Sequence, residues 1–137
     1  MSNGLYAKAR EKFLRGEIAW HTDDIKLILV DANDYTVNLT THEFLSSIPL
    51  AGRVATSDSL TDKITTNGWA GTTSNIVFDN VFGDSCEAIV VIKDTGDAST
   101  SPLLAYIDSN VTNLPIIPNG AKITFIVDNA NHGLFQI

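Results

Sequence analysis

The segment EAIVVIK (residues 87–93) is the strongest indicator of the fold of this chain, because its centre is apolar without interruption. A half-buried strand alternates apolar and polar residues, whereas a short unbroken run rich in Val and Ile is typical of a strand buried on both faces. Turn-forming sequences bound the stretch, GDS before it and DTGD after it. We therefore expect a central strand at 87–93.

Other strand-like segments, rich in β-branched and aromatic residues, lie on both sides of this stretch. They are IKLILVD (25–31), RVATS (53–57), IVFDNVF (76–82), LLAYID (103–108), KITFIVD (122–128) and LFQI (134–137), with a weaker candidate at 61–66. The dipeptides Asn67-Gly68 and Asn119-Gly120 accept positive φ and favour tight hairpins. Many short strands without long intervening helices predict an all-β, mainly antiparallel fold, either a β-sandwich or a jelly-roll-like barrel.

Residues 4–15 have the pattern of a short amphipathic helix, with apolar residues at helical spacing and basic residues on the remaining surface. The apolar set is Leu5, Tyr6, Ala9, Phe13 and Leu14, and the basic set is Lys8, Arg10, Lys12 and Arg15. Ser2 or Asn3 is expected to cap the start, and Gly16 to end the helix. A second, one-turn helix is predicted at 41–47, because Thr40 and Glu43 have the spacing of a capping box.

The chain is predicted to be a single β-rich domain, 1–137, in which residues 1–16 form an N-terminal helix or arm. A helix this short is marginal alone in water, so its apolar face must be buried. It packs either on the body of the same chain or on a partner. The second alternative predicts that a chain lacking residues 1–15 still folds but binds its partner less tightly. The candidate interface residues are Leu5, Tyr6, Lys8, Arg10, Lys12, Phe13 and Arg15, together with Trp69, which follows a turn and is read as either a lid on the core or an interface anchor.

Composition and charge exclude several classes of protein. The 137 residues carry a net charge of −7, and the single cysteine, Cys86, excludes an intrachain disulfide and any Cys-based metal site. Residues 1–15 hold four basic side chains and one acidic, whereas the rest of the chain holds five basic and fifteen acidic. This acidic balance argues against a nucleic-acid partner. No apolar run is long enough to span a bilayer, and the N-terminus lacks the apolar region of a signal peptide.

Motifs that would carry catalysis or bind a cofactor are missing from the sequence, including phosphate-binding and dinucleotide-binding glycine loops. His21, His42 and His132 are far apart and have no partners at metal-ligand spacing, and Ser85 has no identifiable histidine as its base. Asp94, Asp97 and Ser99 form an acidic loop that suits calcium in composition, but the EF-hand spacing is absent. We expect no catalytic, cofactor-binding or metal-ligating residues, and a protein that is not an enzyme.

A series of short blocks in order resembles a family of small virion proteins encoded among the head and tail genes of tailed bacteriophages. The blocks are residues 5–20, 24–31, 34–39, 48–49, 51–57, 87–90, 93–96 and 118–120, so the resemblance covers nearly the whole chain. The sequence departs from the family pattern at 64–73 and 129–133. The resemblance supplies no catalytic residue.

This resemblance implies a structural part of the particle, first of all a capsid decoration (cement) protein that binds the major capsid protein and holds neighbouring capsomers together. Such a protein is assembled in the host bacterial cytoplasm and is expected to form a homo-oligomer, with a trimer favoured. Two alternatives stay open. One is a tail, baseplate or neck component that binds neighbouring tail proteins. The other is a carbohydrate-binding β-sandwich module that uses Trp69, Asp94 and Asp97.

Overall fold

The computed structural model of the chain describes residues 4–108, 114–126 and 133–137. Within these ranges the fold is mostly antiparallel β-sheet with one short helix. The elements are β1 (Gly4–Leu5), α1 (Ala7–Leu14), β2 (Ile25–Val30), β3 (Arg53–Thr56), β4 (Lys63–Thr66), β5 (Trp69–Thr72), β6 (Ile76–Phe78), β7 (Ala88–Lys93), β8 (Leu103–Ile107), β9 (Ile123–Phe125) and β10 (Phe135–Gln136), with short 3-10 helices at Leu45–Ser47 and Leu50–Gly52. The predicted cap residues Ser2 and Asn3, His132, and the end of the strand predicted at 122–128 lie outside the described residues.

The strand predicted at the centre of the fold is confirmed. β7 is the middle strand of a five-stranded sheet with the order β1-β8-β7-β2-β3, and every residue of it except Lys93 is buried. It pairs with β2 over six residues, from Ile25 opposite Lys93 to Val30 opposite Ala88. β8, on its other side, is buried along its whole length. Because both faces of these strands are buried, their sequences are continuous apolar runs.

Two smaller sheets complete the described fold, one with the order β10-β5-β4 and one that pairs β6 with β9. The Asn67-Gly68 hairpin is confirmed, since both residues have positive φ and the turn joins β4 to β5. β5 itself was not predicted, because its sequence WAGT contains glycine and only one large apolar residue. All the pairings are antiparallel, and no sheet closes on itself in the described part of the chain.

The N-terminal segment begins as a strand rather than as a helix. Gly4 and Leu5 pair with Tyr106 and Ala105 of β8, so the helix begins at Ala7 instead of at residue 4. Tyr6 occupies the N-cap position without a side-chain cap. Gly16 follows the helix with a φ of 75°, which is the left-handed conformation expected at a helix end. Edge pairing to β8 therefore overrides the helical periodicity at the first residues.

The helix predicted at 41–47 is reduced to the 3-10 turn Leu45–Ser47. Its capping box does not form, because the Glu43 carboxylate accepts a hydrogen bond from Lys12 Nζ at 2.5 Å instead. The side chain of Asn38 accepts from the backbone N–H groups of Thr40 and Thr41. A contact across 31 residues of sequence thus replaces the local one.

Two further boundaries differ from the prediction. The strand predicted at 76–82 ends at Phe78, where the backbone turns through Asn80 with a φ of 48°. Asn119-Gly120 does not close a hairpin, because β9 pairs with β6 rather than with the segment before the turn. Within the described residues, no helix has both the length and the apolar character needed to cross a membrane.

Candidate functional site

An aromatic pocket lies where helix α1 meets the three-stranded sheet. Its volume is about 190 Å³, and its lining is almost entirely apolar. It is lined by Phe13, Trp20, Thr65, Gly68, Trp69, Ala70, Phe135 and Ile137. Three rings form its floor: Trp20 meets Phe135 edge to face at 5.3 Å between centroids, and Phe13 lies 6.2 Å from Phe135. The Trp20 indole N–H donates to the carbonyls of Ile64 and Gly71, so the only polar group of that ring is satisfied away from the pocket.

A second cavity of about 250 Å³ adjoins the aromatic pocket and shares Trp69 and Phe135 with it. It opens between the β1–β8 edge of the five-stranded sheet and β10, and the exposed Arg10 of α1 lines it. Arg10 has no carboxylate partner among the described residues. Together the two cavities offer aromatic surface next to a positive charge, which suits an apolar side chain that carries negative charge beside it.

The candidate interface residues of the N-terminal segment separate into two groups. Leu5 and Tyr6 are buried in the core, and Lys12 is buried against Glu43 with its ammonium 5.2 Å from the ring centre of Phe44. Phe13 is half-buried and faces the aromatic pocket. The segment therefore packs on the body of its own chain, and removing residues 1–15 would uncover the core.

The remaining candidates of this segment lie at the surface. Lys8 is only partly exposed and lies 3.6 Å from Glu11, whereas Arg15 binds Glu17 at 2.6 Å. The hydrogen bond from Arg15 is the largest cause of the lowered pKa of Glu17. Arg10 is consequently the basic residue of α1 that is both exposed and without an intramolecular ion pair among the described residues.

Trp69 is not at the exposed loop tip that its position after a turn suggests. It is the first residue of β5, where it lies half-buried opposite Thr66 and Gln136. Trp20 and Phe135, which line the same pocket, come from segments distant from Trp69 in sequence. No local signal predicts such a juxtaposition, which depends on sheet pairing.

A buried chain of hydrogen bonds joins the N-terminal segment to the loop before the first 3-10 helix. The Tyr6 and Tyr35 hydroxyls are 2.8 Å apart, and Tyr35 lies 2.8 Å from His42 Nδ1. The Asn38 N–H also donates to that nitrogen, so Nδ1 is the unprotonated one and Tyr35 is its donor. Burial raises the pKa of Tyr35 to about 12 and lowers the pKa of His42. All three rings are held in neutral forms, and the arrangement is structural.

Three carboxylates lie together, since Asp31, Asp34 and Asp84 each place one oxygen within 4.8 Å of the others. Asp31 is buried, and the other two are exposed. Partial desolvation and the nearby Asp31 raise the pKa of Asp34. The cluster concentrates negative charge at this part of the protein.

The other sequence candidates are occupied by local contacts. The Ser85 hydroxyl donates to Glu87 at 2.6 Å and contacts no histidine among the described residues. Asp94 binds Lys26 at 2.7 Å, and this bond is the largest cause of the lowered pKa of Asp94. Asp97 accepts hydrogen bonds from the backbone and side chain of Ser99. These carboxylates hold the loop between β7 and β8 in shape.

No protein-family model matches the chain, and a search of the curated proteins finds no match.

Proposed function

We propose that the chain is a non-enzymatic structural protein of a tailed-bacteriophage virion, and specifically a capsid decoration (cement) protein. In this role it binds the major capsid protein on the outer shell and holds neighbouring capsomers together. It acts as a homo-oligomer, with a trimer favoured, and its partners are proteins rather than nucleic acid or membrane. A β-sandwich or jelly-roll-like arrangement of its sheets belongs to the same proposal, as does assembly in the host cytoplasm.

The observation that carries this proposal is the aromatic pocket beside Arg10. Interfaces between proteins are built around buried aromatic and arginine anchors, and this surface presents both on a rigid β framework. The ordered sequence blocks that resemble those of phage virion proteins are the reason for proposing this biological setting. The acidic remainder of the chain keeps it soluble before it meets its partner.

The copy number of the protein in purified virions tests the proposal. Quantitative mass spectrometry should find hundreds of copies per particle, near the number of major capsid protein subunits. A few to a few dozen copies would instead assign the protein to the tail, baseplate or neck. Its absence from virions would overturn the proposal.

The carbohydrate-binding alternative has weaker support. It requires Asp94 and Asp97 to be available to a sugar or to calcium, yet Asp94 is paired with Lys26 and Asp97 with Ser99. Trp69 would have to supply the stacking surface, but it is half-buried in the wall of the aromatic pocket. A glycan array would test this alternative. It would be restored if the wild-type chain bound a glycan and Trp69→Ala lost that binding but was still incorporated into virions.

A further inference from the structure

An exposed aromatic knob lies on the connection between β6 and β7. Phe82 is 71% exposed, although it is among the largest apolar side chains of the protein. The backbone beneath it is fixed, because Val81 exchanges hydrogen bonds with Gly120 and Ala121. The Phe82 ring lies over Gly120 so closely that a Cβ at that position would come within 2.7 Å of Cε1. The ring is thus held outward by its own chain, and little flexibility would be lost when it is buried.

The surroundings of the knob are acidic. Asp79 and Asp84, on either side of Phe82 in sequence, are both exposed. Asp84 also belongs to the cluster with Asp31 and Asp34, whose oxygens lie within 4.8 Å of one another. The knob therefore combines an apolar ring with a concentration of negative charge.

The aromatic pocket is complementary to this knob in size and charge. An apolar cavity of about 150 Å³ is enough to bind benzene, and the pocket measures about 190 Å³. Its aromatic walls favour edge-to-face packing of an incoming ring. Arg10, exposed and without a carboxylate partner among the described residues, lines the cavity that adjoins the pocket and supplies a positive charge that complements the carboxylates of the knob.

The knob and the cavity that adjoins the pocket lie at opposite edges of the five-stranded sheet. The knob lies beside β3, because a Cβ at Gly83 would lie 3.3 Å from Val54 Cγ1. The pocket region lies beside β1, through the adjoining cavity that Gly4 and Leu5 line. β1 and β3 are the opposite edges of the five-stranded sheet, which places them about 19 Å apart at ordinary strand spacing.

We propose that Phe82 of one copy of the chain inserts into the aromatic pocket of a second copy, with Asp79 and Asp84 facing Arg10. The contact joins two different surfaces, so it is heterologous and leaves a free pocket and a free knob at the two ends of any pair. Further copies add in the same way, into a ring where the rotation between copies closes and into an open filament where it does not. This inference deepens the proposed function, on which its place in a virion rests.

Sedimentation equilibrium of the full-length chain over micromolar to millimolar concentrations tests the contact. The wild-type chain should self-associate, and added salt should weaken the association because charges contribute to it. Phe82→Ser should weaken it about tenfold or more, as truncation of an interface anchor does. Ile126→Ser is the matched control, since Ile126 is 79% exposed but belongs to neither surface. Circular dichroism verifies that each variant is folded.

A mixing experiment tests that the contact is heterologous. The double variant Arg10→Glu, Thr65→Glu places negative charge at the pocket and leaves the knob intact, whereas Phe82→Ser leaves the pocket intact. Each should be monomeric alone, and their equimolar mixture should form one-to-one pairs that grow no further. A monomeric wild type, a loss of association in the Ile126→Ser control equal to that in Phe82→Ser, or unchanged association in either variant would overturn the inference.

These outcomes are separate from those that test the proposed function. A monomeric chain that is abundant in virions would overturn the knob-and-pocket contact and the homo-oligomer, and would leave the binding to the shell intact. A chain that associates through Phe82 but is absent from virions would overturn the proposed function and leave the knob-and-pocket contact intact.

Discussion

The five-stranded sheet and the three-stranded sheet differ in how deeply their strands are buried. In β7 and β8 every residue except Lys93 is buried, whereas no residue of β4 is fully buried. The first sheet has two covered faces and contributes most of the apolar burial. The second leaves aromatic surface open next to α1. The difference suggests that stability resides in the larger sheet and recognition at the border of the smaller one.

The largest effect is expected from the same substitution, isoleucine to alanine, made in each of the two sheets. Ile89→Ala in β7, where the side chain is 2% exposed, should lower the free energy of unfolding by about 2–5 kcal/mol because it leaves a cavity. Ile64→Ala in β4, where the side chain is half-buried, should lower it by about 1 kcal/mol. Urea unfolding followed by tryptophan fluorescence measures both. Equal losses would break the distinction between the sheets.

The next test concerns the hydrogen bonds that link Tyr6, Tyr35 and His42, because they join the N-terminal segment to the rest of the protein. Tyr35→Phe removes the acceptor of the buried Tyr6 hydroxyl and the donor to His42, and should cost about 1–3 kcal/mol. Tyr6→Phe keeps the bond from Tyr35 to His42 and should cost less. If Tyr35→Phe were the milder variant in urea unfolding, the segment would not depend on these hydrogen bonds.

A smaller effect is expected at the end of the larger sheet, where Lys26 binds Asp94. Both side chains are about a quarter exposed, so Asp94→Asn should cost about 0.2–1 kcal/mol. Thermal unfolding at low and high salt measures this cost, which should shrink with salt. Asp97→Asn, which removes a carboxylate bonded only within its own loop, should cost no more than Asp94→Asn.

The smallest expected effect is a pH dependence from His42. Its pKa in the folded chain is lowered by burial from the ordinary value of about 6.5, so the folded state favours the neutral ring. The stabilising contribution is complete above about pH 6.5 and declines below it, because the unfolded chain takes up the proton first. Unfolding measured from about pH 7.5 to about pH 5 should show this decline, and His42→Gln should reduce it. A decline in His42→Gln as steep as that of the wild type would contradict this prediction.

The parts of the fold that the sequence predicted are those whose burial is continuous along the chain. The run at 87–93 and the Asn67-Gly68 turn have physical signatures within a few residues. The parts that were missed depend on distant contacts. Glu43 turns to Lys12 instead of closing its capping box, and Gly4 and Leu5 pair with β8 before the helix can start.

Of the candidate site, the sequence predicted some of the residues but not how they are arranged. Phe13, Arg10 and Trp69 were identified as interface candidates from residue type and local position. Trp20 and Phe135 complete the pocket, and Phe135 is brought there by the pairing of β10 with β5, in which it lies opposite Ala70. Periodicity within one segment carries no information about that meeting.

The position of the Phe82 ring depends on the absence of a side chain at Gly120, and a mutational screen would reveal this dependence. The residue is not part of the proposed contact, yet any side chain there would displace the Phe82 ring that lies on it. Substitutions of Gly120 should therefore be recovered among assembly-defective mutants although they leave every contacting residue unchanged. Second-site suppressors of such mutants would be expected at position 82 or in the pocket of the neighbouring copy, so that genetics alone could trace the contact.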